Sequence, residues 1–178
     1  MIKIQNIYYM LAYAYQVLSE DGYKKVASEE FEDASDLFAA ILSKGIASQI
    51  KRGLSRDYIS KTQAVRTPVA RIDVSATVKR NSVIKKELVC DYDEFTEDAY
   101  MNRILKSTAM LLISCPEVSM ERKRNLKKAL LYFGNVDVVN PFKIQWTSIN
   151  YHRNNVTYKM LMNICYLVIK GLLLTEQD

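Results

Sequence analysis

Tyr58-Ile59-Ser60-Lys61-Thr62-Gln63-Ala64-Val65-Arg66-Thr67 is the stretch where this chain stops reading as helix. Its apolar residues are few, interrupted and partly β-branched, a pattern that favours a short strand, and Pro68 then breaks the run. Downstream, a short helix is expected over Asp73 to Arg80. A second strand is expected over Val83 to Tyr92, where Val83, Ile84, Leu88 and Val89 supply strand-forming side chains. Helical periodicity governs both flanks. The expected fold is therefore α+β and helix-rich, with helical parts over 1–55 and 94–178 and a small strand-containing insert at about 56–93.

Ile4, Ile7, Tyr8, Leu11, Tyr15 and Leu18 recur at a three-to-four spacing that predicts an opening helix, with Tyr9 and Tyr13 adding aromatic surface. Gly22 and the acidic run Glu29 to Asp36 read as a connection. Ser35 or Asp36 is then expected to cap a second helix by accepting from its free amides. Leu37, Phe38, Ile41, Leu42, Ile46 and Ile50 form its apolar stripe, and Gly53 closes it. After the insert, Thr96 is the expected cap of a helix reaching Cys115, with Glu97 and Asp98 at its positive end. Ser119 would cap the next, with Leu126, Leu130 and Phe133 inward, Gly134 as its stop, and Arg122, Lys123, Arg124, Lys127 and Lys128 outward. A loop or short strand around Trp146 leads to a last helix from about Asn155 to Leu174. That helix is apolar on most sides, so it belongs in a core or under a cover.

Length and composition narrow the classes. The 178 residues suit one domain or two small lobes, and 49% hydrophobic with 25% charged residues is ordinary for a folded soluble chain. With only 5 Gly and 3 Pro, neither disorder nor a long flexible linker is expected. The net charge of +5 is unevenly placed: Lys and Arg against Asp and Glu run 4 to 7 over residues 1–50 and 10 to 3 over 51–90. They then run 2 to 6 over 91–120 and 9 to 4 over 121–178. Alternating blocks suit docking on a charged partner, although solvated helix faces would give the same count. Cys90, Cys115 and Cys165 are scattered among apolar residues, and the opening Met1-Ile2-Lys3-Ile4-Gln5-Asn6 has no signal-peptide organisation. A reducing cytoplasm is therefore the expected compartment. Met160 to Leu174 is interrupted by Asn163 and Lys170 and falls short of the roughly 20 residues a membrane span needs.

The residues for familiar chemistry are missing. His152 is the single histidine, and its neighbours Tyr151, Arg153, Asn154 and Asn155 suggest a polar approach to a helix more than a catalytic base. Glycines at 22, 45, 53, 134 and 171 make no phosphate-cradling loop, so any nucleotide would sit on a partner. A metal-dependent nuclease of the PD-(D/E)xK type needs clustered carboxylates and a nearby lysine. Asp73 and Glu87 come nearest, but Glu87-Leu88-Val89 lacks the lysine, and Lys85 and Lys86 precede the acid. Asp91, Asp93 and Glu94 read as a loop and helix-cap cluster. Neither catalytic nor metal residues are assigned.

Four segments, Ile4 to Ala14, Arg71-Ile72-Asp73 with Thr77, Cys90 to Asp98 with Asn102 to Lys106, and Tyr151 to Asn154, resemble in that order the McrC family, the nuclease-bearing subunit of methylation-dependent McrBC restriction systems. Ile4-Gln5-Asn6-Ile7-Tyr8-Tyr9-Met10-Leu11-Ala12-Tyr13-Ala14 is similar to its amino-terminal aromatic helix. Arg71-Ile72-Asp73 followed by Thr77 resembles its "GRID…T" element, with Ala70 where the family has glycine. Cys90-Asp91-Tyr92-Asp93-Glu94-Phe95-Thr96-Glu97-Asp98, then Asn102-Arg103-Ile104-Leu105-Lys106, resembles its most recognisable block. Tyr151-His152-Arg153-Asn154 is a weaker match.

The resemblance implies a region that binds an McrB-like AAA+ GTPase hexamer and stimulates its GTP hydrolysis, meeting DNA through the complex. GTP would then belong to the partner and Mg²⁺ to a carboxy-terminal nuclease domain. Leu172 to Asp178 fall about where that domain would begin, so a fragment or a short relative is expected. Arg71, Asp73, Glu94, Asp98, Asn102, Arg103 and Lys106 are the candidate partner-binding residues. Glu94, Asp98, Asn102 and Lys106 step by four, so those on a helix share one face. Arg71 or Arg103 would offer a hydrogen-bonding fork to a carboxylate of the GTPase. The rival reading is a stand-alone nucleic-acid-binding domain using Arg52, Arg56, Arg66, Lys79 and Arg80, with Tyr58 as the nearest aromatic.

Overall fold

A computed structural model describes residues 33–80, 82–151 and 156–175. The opening helix expected from Ile4 to Leu18, and His152, lie outside the described residues. Two compact units are present: a helical unit that takes in the chain up to Ser55 and again from Tyr100, and an insert of Arg56–Ala99.

The helical unit is built on α1 (Ala34–Arg52), α3 (Tyr100–Ser114), α4 (Met120–Leu130) and α5 (Val156–Thr175). Phe38, Ile41, Leu42 and Ile46 of α1 interlock with Ile104, Leu105 and Leu112 of α3 and Leu161, Ile164 and Val168 of α5. Each fully buried side chain of this size contributes about 1.5–3 kcal/mol. The expected stripe of α1 is therefore its buried face, although Ile50 is only half-buried. The apolar α5 is central, as its composition demands, with Asn163, Tyr166 and Lys170 left as an exposed stripe.

Three local expectations change. Asp33, not Ser35 or Asp36, caps α1, its carboxylate accepting from Ser35 N at 2.7 Å. Asp36 instead reaches the start of α4, where it accepts from Ser119 N at 2.8 Å and faces Arg122. Ser119 sits at the cap position of α4 without making a side-chain cap bond. Gly134 is no left-handed stop, having helical φ −57; a 3₁₀ turn over Leu131–Phe133 already ends that run. Gly53, by contrast, closes α1 at φ 89.

The insert contains β1 (Asp57–Val65), β2 (Arg71–Ile72), α2 (Val74–Lys79) and β3 (Leu88–Thr96), in an antiparallel sheet of order β1-β3-β2. The second strand lies further along than its propensities suggest. Residues 82–86 form turns in which Ser82 O accepts from the amides of Lys85 and Glu87. Val83 and Ile84 stay exposed at 62% and 83%. Pairing explains the shift. Each of the nine residues of β1 finds a partner between Leu88 and Thr96, and that continuous ladder outweighs two β-branched side chains. Thr96 consequently ends a strand. Its hydroxyl accepts from Asp98 N at 3.2 Å, and the helix starts only at Tyr100.

Candidate interaction surface and the residues behind it

The register of β1 and β3 sorts the polar residues of the insert onto two faces. One face carries Tyr58 beside Phe95, Ser60 beside Asp93 and Thr62 beside Asp91, with Arg71 of β2 opposite Asp91. Ser60 Oγ donates to Asp93 and Thr62 Oγ1 to Asp91, both at 2.6 Å. The rings of Tyr58 and Phe95 lie 4.9 Å apart although both are largely exposed. On the other face Lys61 pairs with Glu94, which holds the ammonium above its usual pKa, and Tyr92 donates to Gln63 at 2.9 Å. Asp91, Asp93 and Glu94 are thus strand residues on opposite faces and not a loop and helix-cap cluster. Their oxygens do not converge as a Mg²⁺ site requires, and among the described residues no group of three potential ligands could hold a metal.

Asp73 and Thr77, read as a motif, are a staple inside the insert. The Asp73 carboxylate caps α2 by accepting from Ala76 N at 2.9 Å, and its amide donates to Val89 O of β3. The buried Thr77 hydroxyl donates to Asp73 O at 2.7 Å and accepts from Val89 N at 2.9 Å. Both polar capacities of the hydroxyl are satisfied, so α2 is locked to β3. Arg71 is left exposed on β2.

Asn102 and Lys106 share a face of α3 as expected, but the face turns inward. Asn102 is fully buried. Its amide donates to Ser55 O at 2.8 Å and accepts from Tyr158 Oη at 3.0 Å, while Tyr158 accepts from Ser55 N at 2.8 Å. This closed triangle ties the end of α1 to α3 and α5. Lys106 Nζ donates to Phe133 O and Val136 O, anchoring the turn after α4. Glu94 lies on β3 and Asp98 precedes α3, so neither belongs to that helical face. Arg103 is half-buried on α3.

The residues proposed for nucleic acid divide between the units. Arg52 ends α1, exposed. Arg56 is engaged by Glu97 at 2.7 Å, so its charge is partly neutralised. Arg66, Lys79 and Arg80 are exposed, the last two ending α2. Ser55 and Tyr158 escaped sequence reasoning, although a tyrosine in so apolar a helix was a usable signal. Cys90, Cys115 and Cys165 are buried and unbridged, and burial pushes the Cys165 thiol up to about 12, which keeps it neutral and unreactive. No described helix is long and apolar enough to cross a membrane.

This geometry defines a helical unit and a three-stranded insert, with no constellation for bond cleavage among the described residues. The chain belongs to the McrBC family: the model for "McrBC 5-methylcytosine restriction system component" matches residues 3–178. It is 24% identical over 170 residues to the type IV methyl-directed restriction enzyme EcoKMcrBC of Escherichia coli K12, covering 96% of this chain and 49% of that protein. Its fold matches a chain of the Thermococcus gammatolerans McrBC complex with a TM-score of 0.67 at 15% identity, over 90% of this chain and 49% of the other. It likewise matches, with a TM-score of 0.67 at 15% identity, a chain of an assembly described as McrB AAA+ hexamers with bound McrC, covering 88% of this chain and 38% of that one. The chain therefore spans about half the length of the relatives it matches, or less.

Proposed function

We propose that this chain is the McrC-like, partner-binding part of a methyl-directed restriction system, which docks on a ring of AAA+ GTPase subunits and stimulates their GTP hydrolysis. The observation that carries this reading is the fold match to McrBC assemblies over nine-tenths of the chain. The site chemistry supports it: nucleotide would sit on the ring and Mg²⁺ with a nuclease domain, while this chain contributes shape and hydrogen-bond donors. Of the candidate residues, Arg71 is the exposed one best placed to act on a partner, since Asp73, Asn102 and Lys106 are taken up by internal bonds. A guanidinium orders a carboxylate in two directions at once, which suits positioning of a catalytic loop without insertion into the nucleotide site.

The test is to mix the purified chain with its cognate GTPase and follow complex mass and GTP turnover. A complex with raised turnover is expected. Arg71→Ala should reduce the stimulation about tenfold while the complex persists, the loss expected for one charge-assisted hydrogen bond of ~1.5 kcal/mol. Unchanged stimulation in both Arg71→Ala and Arg103→Ala would discard those arginines, and failure to form any complex would discard the function.

A further inference from the structure

A second charged feature lies within the helical unit. A cavity of about 500 Å³ opens between α1 and α4. Ala40, Ser43, Lys44, Ala47, Ile50 and Lys51 recur at three and four residues along one face of α1. Across from them, α4 and the turn after it present Arg122, Asn125, Lys128, Ala129 and Tyr132 at the same periodicity. The wall thus holds Lys44, Lys51, Arg122 and Lys128 against the Glu121 carboxylate, with Arg122 also facing Asp36. Among the described residues no carboxylate lies within ion-pair distance of Lys44, Lys51 or Lys128, and all three are exposed. Further cations, Arg124 and Lys127, extend the charge along the exposed side of α4.

Like charges gathered around one groove repel, and a bound polyanion relieves that repulsion. We infer that this groove binds the phosphodiester backbone of DNA, giving the chain a direct, sequence-independent contact with nucleic acid. Lys44 and Lys51 are seven residues apart on one helical face, about 10 Å along its axis. That length matches about three phosphates of a strand at 3.4 Å of rise each. Ser43 and Asn125 add neutral donors between the cations, the usual accompaniment of phosphate contacts. Tyr132, 63% exposed at the rim, offers a ring on which an unpaired base can stack. DNA is favoured over another polyanion because the family acts in a restriction system. The inference does not depend on stimulation of a GTPase.

The experiment measures anisotropy of a labelled mixed-sequence duplex, and of its single strand, with the full chain alone over a range of salt. Binding is expected at low salt and should weaken steeply as salt rises. The variant Lys44→Gln/Lys51→Gln/Lys128→Gln should bind about tenfold or more weakly and lower the salt slope by about three, near one per lost phosphate contact. The matching insert variant, Arg66→Gln/Lys79→Gln/Arg80→Gln, should stay within about twofold of the parent, since its charges lie outside the groove. Tyr132→Ala should weaken the single strand more than the duplex. These exposed substitutions leave the core untouched, and an unchanged helical circular dichroism spectrum confirms folding.

The inference is overturned if the parent does not bind at low salt, or if the insert variant loses as much as the groove variant. Full displacement of DNA by a millimolar excess of GTP would assign the groove to free nucleotide and also overturn it. So would a groove variant that keeps its DNA affinity but loses the partner GTPase, which would make the groove a protein-docking surface. Conversely, DNA binding without complex formation would sink the proposed function and leave this inference standing.

Discussion

The helical unit and the insert stay folded by different means. The first sets large apolar side chains from three helices against one another, with Phe38, Ile41, Leu105 and Leu161 all but inaccessible to water. In the insert, Val89, Cys90 and Ala99 are the buried hydrophobic residues, while Tyr58, Val74, Val78, Val83, Ile84 and Phe95 remain largely exposed. Hydrogen bonds do there what packing does elsewhere: a nine-residue ladder, two hydroxyl–carboxylate pairs and the Thr77 staple. A region held mainly by solvent-accessible hydrogen bonds opens at lower free energy than a packed core. It also keeps apolar side chains available for a second protein.

A buried polar tie can be cut in each unit, which tests that contrast directly. Asn102→Ala should have the largest effect. It removes the side-chain donor to Ser55 O and the acceptor of the buried Tyr158 hydroxyl, and should cost about 2–3 kcal/mol. In a chain of this size that lowers Tm by roughly 4–12 °C. A thermal scan showing a loss under 2 °C, far below that estimate, would mean water reaches the triangle and relieves it.

Thr77→Val keeps shape but leaves the Val89 amide without its acceptor, a cost of about 1–2 kcal/mol. Hydrogen exchange should show β1 and β3 losing protection while α1, α3 and α5 keep theirs. Equal loss in both units would show a single cooperative body and remove the distinction.

How much of this was legible beforehand also divides by unit. Periodicity identified the helices because burial there follows one face of a helix, as in Leu37, Phe38, Ile41, Leu42 and Ile46. The strand near Val83 was misplaced because strand position depends on what lies opposite, and β1 lies more than twenty residues earlier in sequence. The site readings erred for a related reason. Asn102, Lys106 and Asp73 stood out as polar residues in a recognisable block, and polarity looks the same whether it faces solvent or an internal carbonyl. The residues that carry the family resemblance include these internal ties, so the resemblance reports the fold more directly than the contact surface. The groove between α1 and α4 was half visible, in the basic face of Arg122 to Lys128. Its other wall, Lys44 and Lys51, falls in an acidic stretch and at a block boundary, where a running charge count hides it.

The smallest expected effect comes from the one position where the resembling motif breaks its pattern. Ala70 stands where glycine is usual and adopts φ 61, the left-handed region in which a Cβ crowds the following carbonyl at a cost of about 1–2 kcal/mol. Glycine removes that crowding but adds freedom to the unfolded chain, about 0.5–1 kcal/mol in the opposite direction. The net for Ala70→Gly is a gain of up to about 1.5 kcal/mol, confined to the insert because residue 70 leads directly into β2. Amide exchange on β2 and α2 should slow by up to about tenfold, the equivalent of that gain, with α1, α3, α4 and α5 unaffected. Faster exchange would mean that Ala70 supplies a contact its backbone conformation does not reveal, and that the motif tolerates alanine for a reason other than indifference.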